Sequence, residues 1–282
     1  MNENSTLDTL IDLALNEDLG DQGDITSINF IPEDSASNGK IIAKEDCVIA
    51  GSEIAGKVFN KYDPSIEIEI NLKSGSLARC DDTVINISGP TRSILSAERT
   101  ALNFIQRLSG IATLTKKYVD GVDGTNAKIL DTRKTTPGWR NLEKLAVLSG
   151  GGSNHRMGLF DMAMLKDNHL VNGSDPKLLQ QNIHLFKKKY PDTRIELEAD
   201  TIEQVSQFVK IDGVDVILLD NMSEAELIDA IKFRRGAVKF EASGGINLET
   251  VSKIAKTGVD FISVGALTHS ASSVDLSLEL DS

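Results

Sequence analysis

The chain is poor in aromatic side chains, with one tryptophan, three tyrosines and nine phenylalanines among 282 residues. That leaves no row of rings on which the bases of a single strand would stack. Positive charge is also in short supply: 30 Lys and Arg against 42 Asp and Glu give a net charge of −12. Nucleic acid and anionic membrane surfaces would both be repelled overall. Cys47 and Cys80 are the only thiols, far apart and in no C-x-x-C pattern, which excludes a disulfide framework and a cysteine-based zinc site. No apolar run approaches the roughly 18 residues of a membrane span, and the opening "MNENSTLDTLIDLALNEDLG" has no basic segment ahead of an apolar one. These absences describe a cytoplasmic protein with no nucleic-acid or membrane partner, whose anionic ligands must meet a local cluster of cations.

What is present falls into two styles. In "STLDTLIDLALNEDLG", Leu7, Leu10, Ile11, Ala14 and Leu15 recur at helical spacing, with Ser5 or Thr6 as candidate N-cap and Gly20 as the stop. "GKIIAKEDCVIAG", "SIEIEINLKSG" and "DTVINISG" alternate or run apolar over strand lengths. "SAERTALNFIQRLSGIATLTKKYV" fits one or two helices with a break near Gly110. Beyond it, "AKILDTRK", "MAMLKDNH", "RIELEAD", "VDVILLDN", "VKFEASGG" and "DFISVGAL" are short apolar runs separated by amphipathic segments. Alternation of strand and helix predicts parallel strands with crossover helices. The expectation is an α/β protein: an α+β domain over 1–110, a parallel β/α barrel, complete or incomplete, over 111–268, and a tail over 269–282 for which a return onto the first domain is one course. An open doubly wound sheet is the alternative.

Barrel enzymes bind ligands at the C-terminal ends of their strands. Those ends collect Arg133, Lys134, Lys166, Glu198, Asp220, the Ser243-Gly244-Gly245 turn and Gly265, while the loop "SGGGSNHR" (149–156) adds His155 and Arg156. Each has an ordinary reading. A basic residue after a strand is usually solvated, a lone histidine is more often a hydrogen-bonded structural residue, Asp220 is placed to cap the helix near Ser223, and Glu198 suits a solvated strand end. It is their coincidence across six strand ends that points to one mouth, with cations on one arc and carboxylates on another, suited to an anionic ligand also held through Mg²⁺. Glycine turns on the last two strands let backbone N–H groups approach phosphate oxygens, with Ser243 and His269 as side-chain donors.

The stretches "EDLGDQGDITS", "SAERTALNFIQRLSGIATLT", "LDTRKTTPG", "GGGSNHRMGLFDMAMLKDNH", "LLDNM", "EASGGI" and "VGALTH" together resemble the quinolinate phosphoribosyltransferase family, in family order from about residue 17 to about 270. The resemblance implies transfer of phosphoribosyl from phosphoribosyl pyrophosphate to quinolinate, with release of pyrophosphate and carbon dioxide and formation of nicotinate mononucleotide for NAD biosynthesis. By position it implies a quinolinate pocket of Arg133, His155, Arg156 and Lys166, completed by Arg99 from a neighbouring subunit of a homodimer or higher homo-oligomer. It also implies a phosphoribosyl side of Lys134, Glu198, Asp220, Ser243, Gly244, Gly245, Gly265 and His269, with Lys134, Glu198 and Asp220 catalytic and Mg²⁺ near the two carboxylates. Departures are Ser149, where many relatives carry cysteine, and Trp139, read as a packing residue. Two rivals stay open: a relative acting on another aromatic acid such as nicotinate, or one found with molybdate transport genes, and a non-catalytic barrel that binds phosphosugars.

Overall fold

A computed structural model describes residues 3–166, 169 and 175–281. The chain divides into two compact units: 1–116, 136–151 and 270–282 form the first, and 117–135 and 152–269 the second. The compact units divide within a helix after Lys116, close to the expected junction near residue 110. The 136–151 segment, expected in the barrel, joins the first unit.

The first unit holds helices α1 (Glu3–Leu19), α2 (Ile25–Phe30) and α3 (Ser52–Tyr62), strands β1 (Ala36–Ala43), β2 (Cys47–Val48), β3 (Glu67–Ile70), β4 (Leu77–Ala78) and β5 (Thr83–Pro90), and most of α4 (Thr91–Gly121). Later chain adds α5 (Arg140–Ser149) and β12 (Leu276–Leu280). Strand order is β12-β1-β5-β3, antiparallel throughout, with Ile41 opposite Leu278 and Ile85. The C-terminal tail is thus an edge strand of this sheet. α1 begins at Glu3, so Ser5 and Thr6 lie inside the helix and neither caps it. Gly20, at φ 51°, ends it as expected.

α4 runs unbroken through Gly110. Ile94, Ala97, Ala101, Phe104, Ile105 and Leu108 form its buried stripe. Gly110 serves packing rather than a break: a Cβ there would lie 2.0 Å from the Ser272 carbonyl oxygen of the returning tail. Gln106 Nε2 and Arg107 Nη1 donate to the Leu276 and Ala271 carbonyls at 2.7 and 2.6 Å, fixing that tail on the helix. Trp139 stacks on Phe104, centroids 4.7 Å apart and planes 11° from parallel, which is the packing role read from the sequence.

The second unit has strands β6 (Lys128–Leu130), β7 (Met162–Leu165), β8 (Arg194–Ala199), β9 (Val216–Asp220), β10 (Lys239–Ser243) and β11 (Phe261–Ser263). Between and after them come α6 (Pro176–Lys189), α7 (Ile202–Phe208), α8 (Glu224–Lys232), α9 (Val251–Lys256) and α10 (Ala266–His269). All pairings are parallel in the order β6-β11-β10-β9-β8-β7. The first strand lies against the last, so the sheet curls into a barrel, and the alternative of an open doubly wound sheet does not hold. The barrel is incomplete: among the described residues no ladder joins β6 to β7, and Ser153 makes a single parallel bridge to Leu130. Ile195, Leu197, Ile217, Leu219, Phe240 and Ala242 are buried on the outer face of the strands, under the helices. The alternate positions, Glu196 and Glu198, Leu218 and Asp220, Glu241 and Ser243, face the barrel interior.

Replacing Gly110 with alanine forces the tail off α4. The expected loss is about 1–3 kcal/mol of unfolding free energy, the usual cost of overpacking a tight site, read from urea unfolding followed by far-UV circular dichroism.

Candidate active site

The interior positions at the C-terminal ends of β6–β11 open into a cavity of about 400 Å³. Arg133 and Lys134 follow β6, Arg156 and His155 come from the loop before β7, and Lys166 follows β7. Glu198, Asp220, Ser243, Gly244, Gly245, Gly265 and His269 complete the ring from β8 round to α10. Twelve of the thirteen expected site residues therefore share one cavity. The thirteenth, Arg99, lies on α4 in the first unit, with its side chain 61% exposed and Glu98 at 3.9 Å. Asp167 and Asn168, in the same run as Lys166, lie outside the described residues.

Cations occupy one arc. Arg156 is only 9% exposed; its Nη1 and Nη2 donate weakly to the Met162 carbonyl and to Met164 Sδ, both at 3.4 Å. Burial and the nearby Arg133 charge push its pKa below the ordinary arginine value. Two guanidiniums crowded together are relieved by an anion between them, and their planar forks suit carboxylates. Lys166 Nζ is paired with Glu198, so Glu198, expected as a possible solvated strand end, is a buried carboxylate with a cationic partner.

Carboxylates occupy the opposite arc. Glu198, Asp200 and Asp220 each offer an oxygen within 4.8 Å of the others. Asp200 was missed in the sequence because it lies just past the strand. Its signal was the alternation Glu196-Leu197-Glu198-Ala199-Asp200, which carries a third acid to the same face. Asp220 does not cap α8. Ser223 does, in a reciprocal capping box with Glu226, leaving Asp220 to accept from Asn221 Nδ2 at 2.6 Å.

The last two strands end in turns whose glycines are required. Gly244 has φ 95°, and a Cβ on it would fall 2.1 Å from Asn221 Oδ1; Gly245 has φ 62° and faces open space. A Cβ on Gly265 would come within 3.1 Å of both Lys134 Cδ and His269 Nε2, so these three meet closely. Thr268 Oγ1 donates to the Lys134 carbonyl at 2.7 Å and fixes the loop that carries the lysine.

Below the mouth, His155 meets two further acids that the sequence reading did not single out. Its Nε2 is 3.1 Å from Glu196 Oε2 and 3.5 Å from Glu241 Oε2, and all three side chains are buried. Burial opposes charge on the imidazole, but the two carboxylates outweigh it and lift its pKa to about 10. Burial, joined by the Glu241 charge, raises Glu196 as well. Nδ1 accepts the Arg156 backbone N–H at 2.8 Å. The backbone N–H of His155 donates to Asp131 Oδ1 at 2.8 Å.

An incomplete parallel barrel with guanidiniums, acids and glycine turns at the C-terminal mouth defines a barrel enzyme for small, multiply anionic substrates. The chain belongs to the quinolinate phosphoribosyltransferase family: residues 24–109 match the N-terminal domain and 111–279 the C-terminal domain described as quinolinate phosphoribosyl transferase. It is 42% identical over 287 residues to tobacco (Nicotiana tabacum) quinolinate phosphoribosyltransferase [decarboxylating] 1b, covering 96% of this chain and 81% of that protein. To the Arabidopsis thaliana nicotinate-nucleotide pyrophosphorylase [carboxylating] named as chloroplastic, it is 42% identical over 290 residues, covering 98% and 83%. The solved nicotinate-nucleotide pyrophosphorylase of Francisella tularensis superposes with a TM-score of 0.91 at 37% identity, covering 100% of this chain and 98% of that one.

The two glycines of the β10 turn should respond differently to alanine. Gly245→Ala meets only the left-handed backbone penalty of about 1–2 kcal/mol, whereas Gly244→Ala adds the clash with Asn221. Thermal unfolding of the two variants should therefore place Gly244→Ala well below Gly245→Ala; equal midpoints would contradict the packing.

Proposed function

We propose that the chain transfers the phosphoribosyl group of phosphoribosyl pyrophosphate to quinolinate with decarboxylation, giving nicotinate mononucleotide, pyrophosphate and carbon dioxide. The observation that carries this reading is the division of one cavity into a guanidinium arc and an acidic arc, in a chain of this family. A dicarboxylate suits the first. A polyphosphate sugar, bound with a divalent cation, suits the second.

Arg133 and Arg156 hold the two ring carboxylates, with Lys166 and His155 beside them. This orients the pyridine nitrogen at the anomeric carbon. Alignment of two bound reactants is worth several orders of magnitude in rate. Ser243, the main chain of Gly244, Gly245 and Gly265, and His269 take the 5′-phosphate. Glu198, Asp200 and Asp220 form an all-oxygen set open to solvent, which fits Mg²⁺ better than the closed, nitrogen-containing His155 cluster does. When bound, Mg²⁺ supplies charge neutralisation for pyrophosphate. Lys134, at the closely packed turn with Gly265 and His269, neutralises the departing group from the protein side.

The nitrogen forms its bond to the anomeric carbon as the carbon–oxygen bond to pyrophosphate breaks, through an oxocarbenium-like transition state. The ring nitrogen is then quaternary and positive. Carbon dioxide leaves with its bond electrons remaining on the adjacent ring carbon, which the positive nitrogen stabilises, and that carbon takes up a proton. Glycosyl transfer precedes decarboxylation for this reason.

The purified protein with Mg²⁺, phosphoribosyl pyrophosphate and quinolinate should release pyrophosphate and carbon dioxide in equal amounts, and chelation by EDTA should stop it. Nicotinate should react poorly because it leaves a buried guanidinium unpaired. Equal rates with nicotinate would overturn the dicarboxylate reading.

Arg99 is exposed on α4, and we assign it to the neighbouring subunit's pocket in a homodimer or higher homo-oligomer. Inactive Arg99→Ala and inactive Lys134→Ala proteins, mixed under conditions of subunit exchange, should regain part of the activity, because some sites then hold both native residues. No recovery despite exchange demonstrated by mass-tagged subunits would place Arg99 in its own chain's site or outside any site.

A further inference from the structure

We propose that Glu198 couples the two arcs of the cavity through its ion pair with Lys166, so that Mg²⁺ and quinolinate each strengthen the other's binding even without phosphoribosyl pyrophosphate. The inference rests on the proposed function and deepens it, since it concerns how the two subsites of that reading act on one another.

Strand register sets the geometry. β7 and β8 run side by side with Leu165 opposite Leu197, and the next residue of each, Lys166 and Glu198, turns to the interior and lines the cavity. Along the other edge of β8, Ala199 lies opposite Leu219 of β9. The following step brings Asp200 and Asp220 together, and an oxygen of each lies within 4.8 Å of one on Glu198. Glu198 therefore stands between a cation on one side and two acids on the other. Among the described residues it is the one carboxylate ion-paired with Lys166.

One carboxylate thus serves both arcs. While it is free of metal, its charge offsets that of the ammonium. A substrate carboxylate that approaches Lys166 then meets a neighbouring acid in a buried place, where water screens the repulsion weakly. With Glu198 committed to a divalent cation, that charge is spent, and the ammonium is left to the substrate. The two partners differ in freedom: the Lys166 side chain is 43% exposed and can turn, whereas that of Glu198 is 10% exposed and has little room. Linkage makes the effect reciprocal. A quinolinate carboxylate that draws Lys166 away leaves Glu198 the stronger ligand for the metal.

Isothermal titration of quinolinate into the wild-type protein, first with EDTA and then with saturating Mg²⁺, should give a Kd about fivefold or more lower with the metal. Phosphoribosyl pyrophosphate is left out of both titrations. Glu198→Gln removes the contested charge. Without metal it should bind quinolinate about fivefold or more tighter than wild type does, and Mg²⁺ should then change its Kd by less than about twofold. Asp220→Asn removes an equal charge from the same cluster but leaves the Lys166 pair intact, so its metal-free Kd should stay within about twofold of wild type. A wild-type Kd that Mg²⁺ leaves unchanged or raises, no tightening by Glu198→Gln, or equal tightening by both variants would overturn the proposal.

A second measurement needs no quinolinate. With Mn²⁺ as the probe, followed by electron paramagnetic resonance, Lys166→Met should bind the ion about threefold or more tighter than wild type, because the ammonium no longer competes for Glu198. Lys134→Met deletes a cation from the same cavity that has no ion pair with Glu198 among the described residues, and should stay within about twofold of wild type. Equal gains in the two variants, or none in Lys166→Met, would refute the competition. The two arms also separate this inference from the function beneath it. A wild-type protein that neither binds quinolinate nor forms nicotinate mononucleotide would sink that function, while the Mn²⁺ comparison would still decide whether Lys166 competes for Glu198.

Discussion

The site depends on one constraint: acids buried in the interior of the barrel must find cations. β8 alternates Glu196 and Glu198 to the inside with Ile195, Leu197 and Ala199 to the outside, and β10 adds Glu241. Period-two alternation leaves no freedom to turn one of these acids outward without sending apolar neighbours inward. Unpaired carboxylates in such a place cost several kcal/mol each. The loops after β6 and β7 supply what is missing, with Lys166 on Glu198 and His155 between Glu196 and Glu241. A chain of net charge −12 therefore concentrates cations at one end of one barrel.

The arrangement also grades the cations by how far each is committed. His155 and Lys166 have carboxylate partners on β8 and β10. Arg156 is buried, its side-chain hydrogen bonds among the described residues are long ones to a carbonyl and a sulfur, and burial and the nearby Arg133 disfavour its charge more than Glu196 and Asp161 favour it. Under the proposed function, attraction for a substrate anion falls mainly to Arg156, whose hydrogen bonds among the described residues are long. The paired groups act on geometry first, with Lys166 released from Glu198 only if a substrate or a metal competes for one of them. This is a division of labour that the residue types alone do not show, since lysine, arginine and histidine all count as positive in the sequence.

Much of this was legible in the sequence. Six short apolar runs ending in polar residues specified β6 to β11 and their chemistry-bearing ends, because parallel barrels place ligands there whatever the loops do. Gly244, Gly245 and Gly265 were readable as turn positions after the last two strands: Gly244 and Gly245 take a left-handed φ, and a Cβ on Gly265 would crowd Lys134 and His269. Three things were not legible. Gly110 reads locally as a helix breaker, and only the Ser272 carbonyl arriving from 162 residues later explains it. Glu196 and Glu241 look like ordinary solvent-facing strand acids, since alternation tells which residues share a face but not that the polar face is the enclosed one. The segment 136–151 sits between two barrel strands in sequence yet belongs to the first unit, and nothing in its amphipathic pattern says which core it covers.

That last feature bears on how the lysine and arginine of "TRKTTPG" are held. At one end their loop emerges from β6 within the barrel unit, and Thr268 grips the Lys134 carbonyl at 2.7 Å. Two residues further on, the chain is already in the first unit. There Glu143, fully buried, accepts from the Thr136 backbone N–H at 3.1 Å, from Thr136 Oγ1 at 2.8 Å and from Arg107 Nη2 at 3.1 Å. A buried carboxylate with three donors is in the favourable regime for such groups, because each hydrogen bond to a charged acceptor is worth more than a neutral one. Arg107 also donates to the Ala271 carbonyl, just past the last barrel helix. Arg133 and Lys134 are themselves exposed, and both line the cavity. Under the proposed function, the Thr268 bond restrains the main chain under Lys134, so less of the entropy of ordering that side chain falls on each binding event.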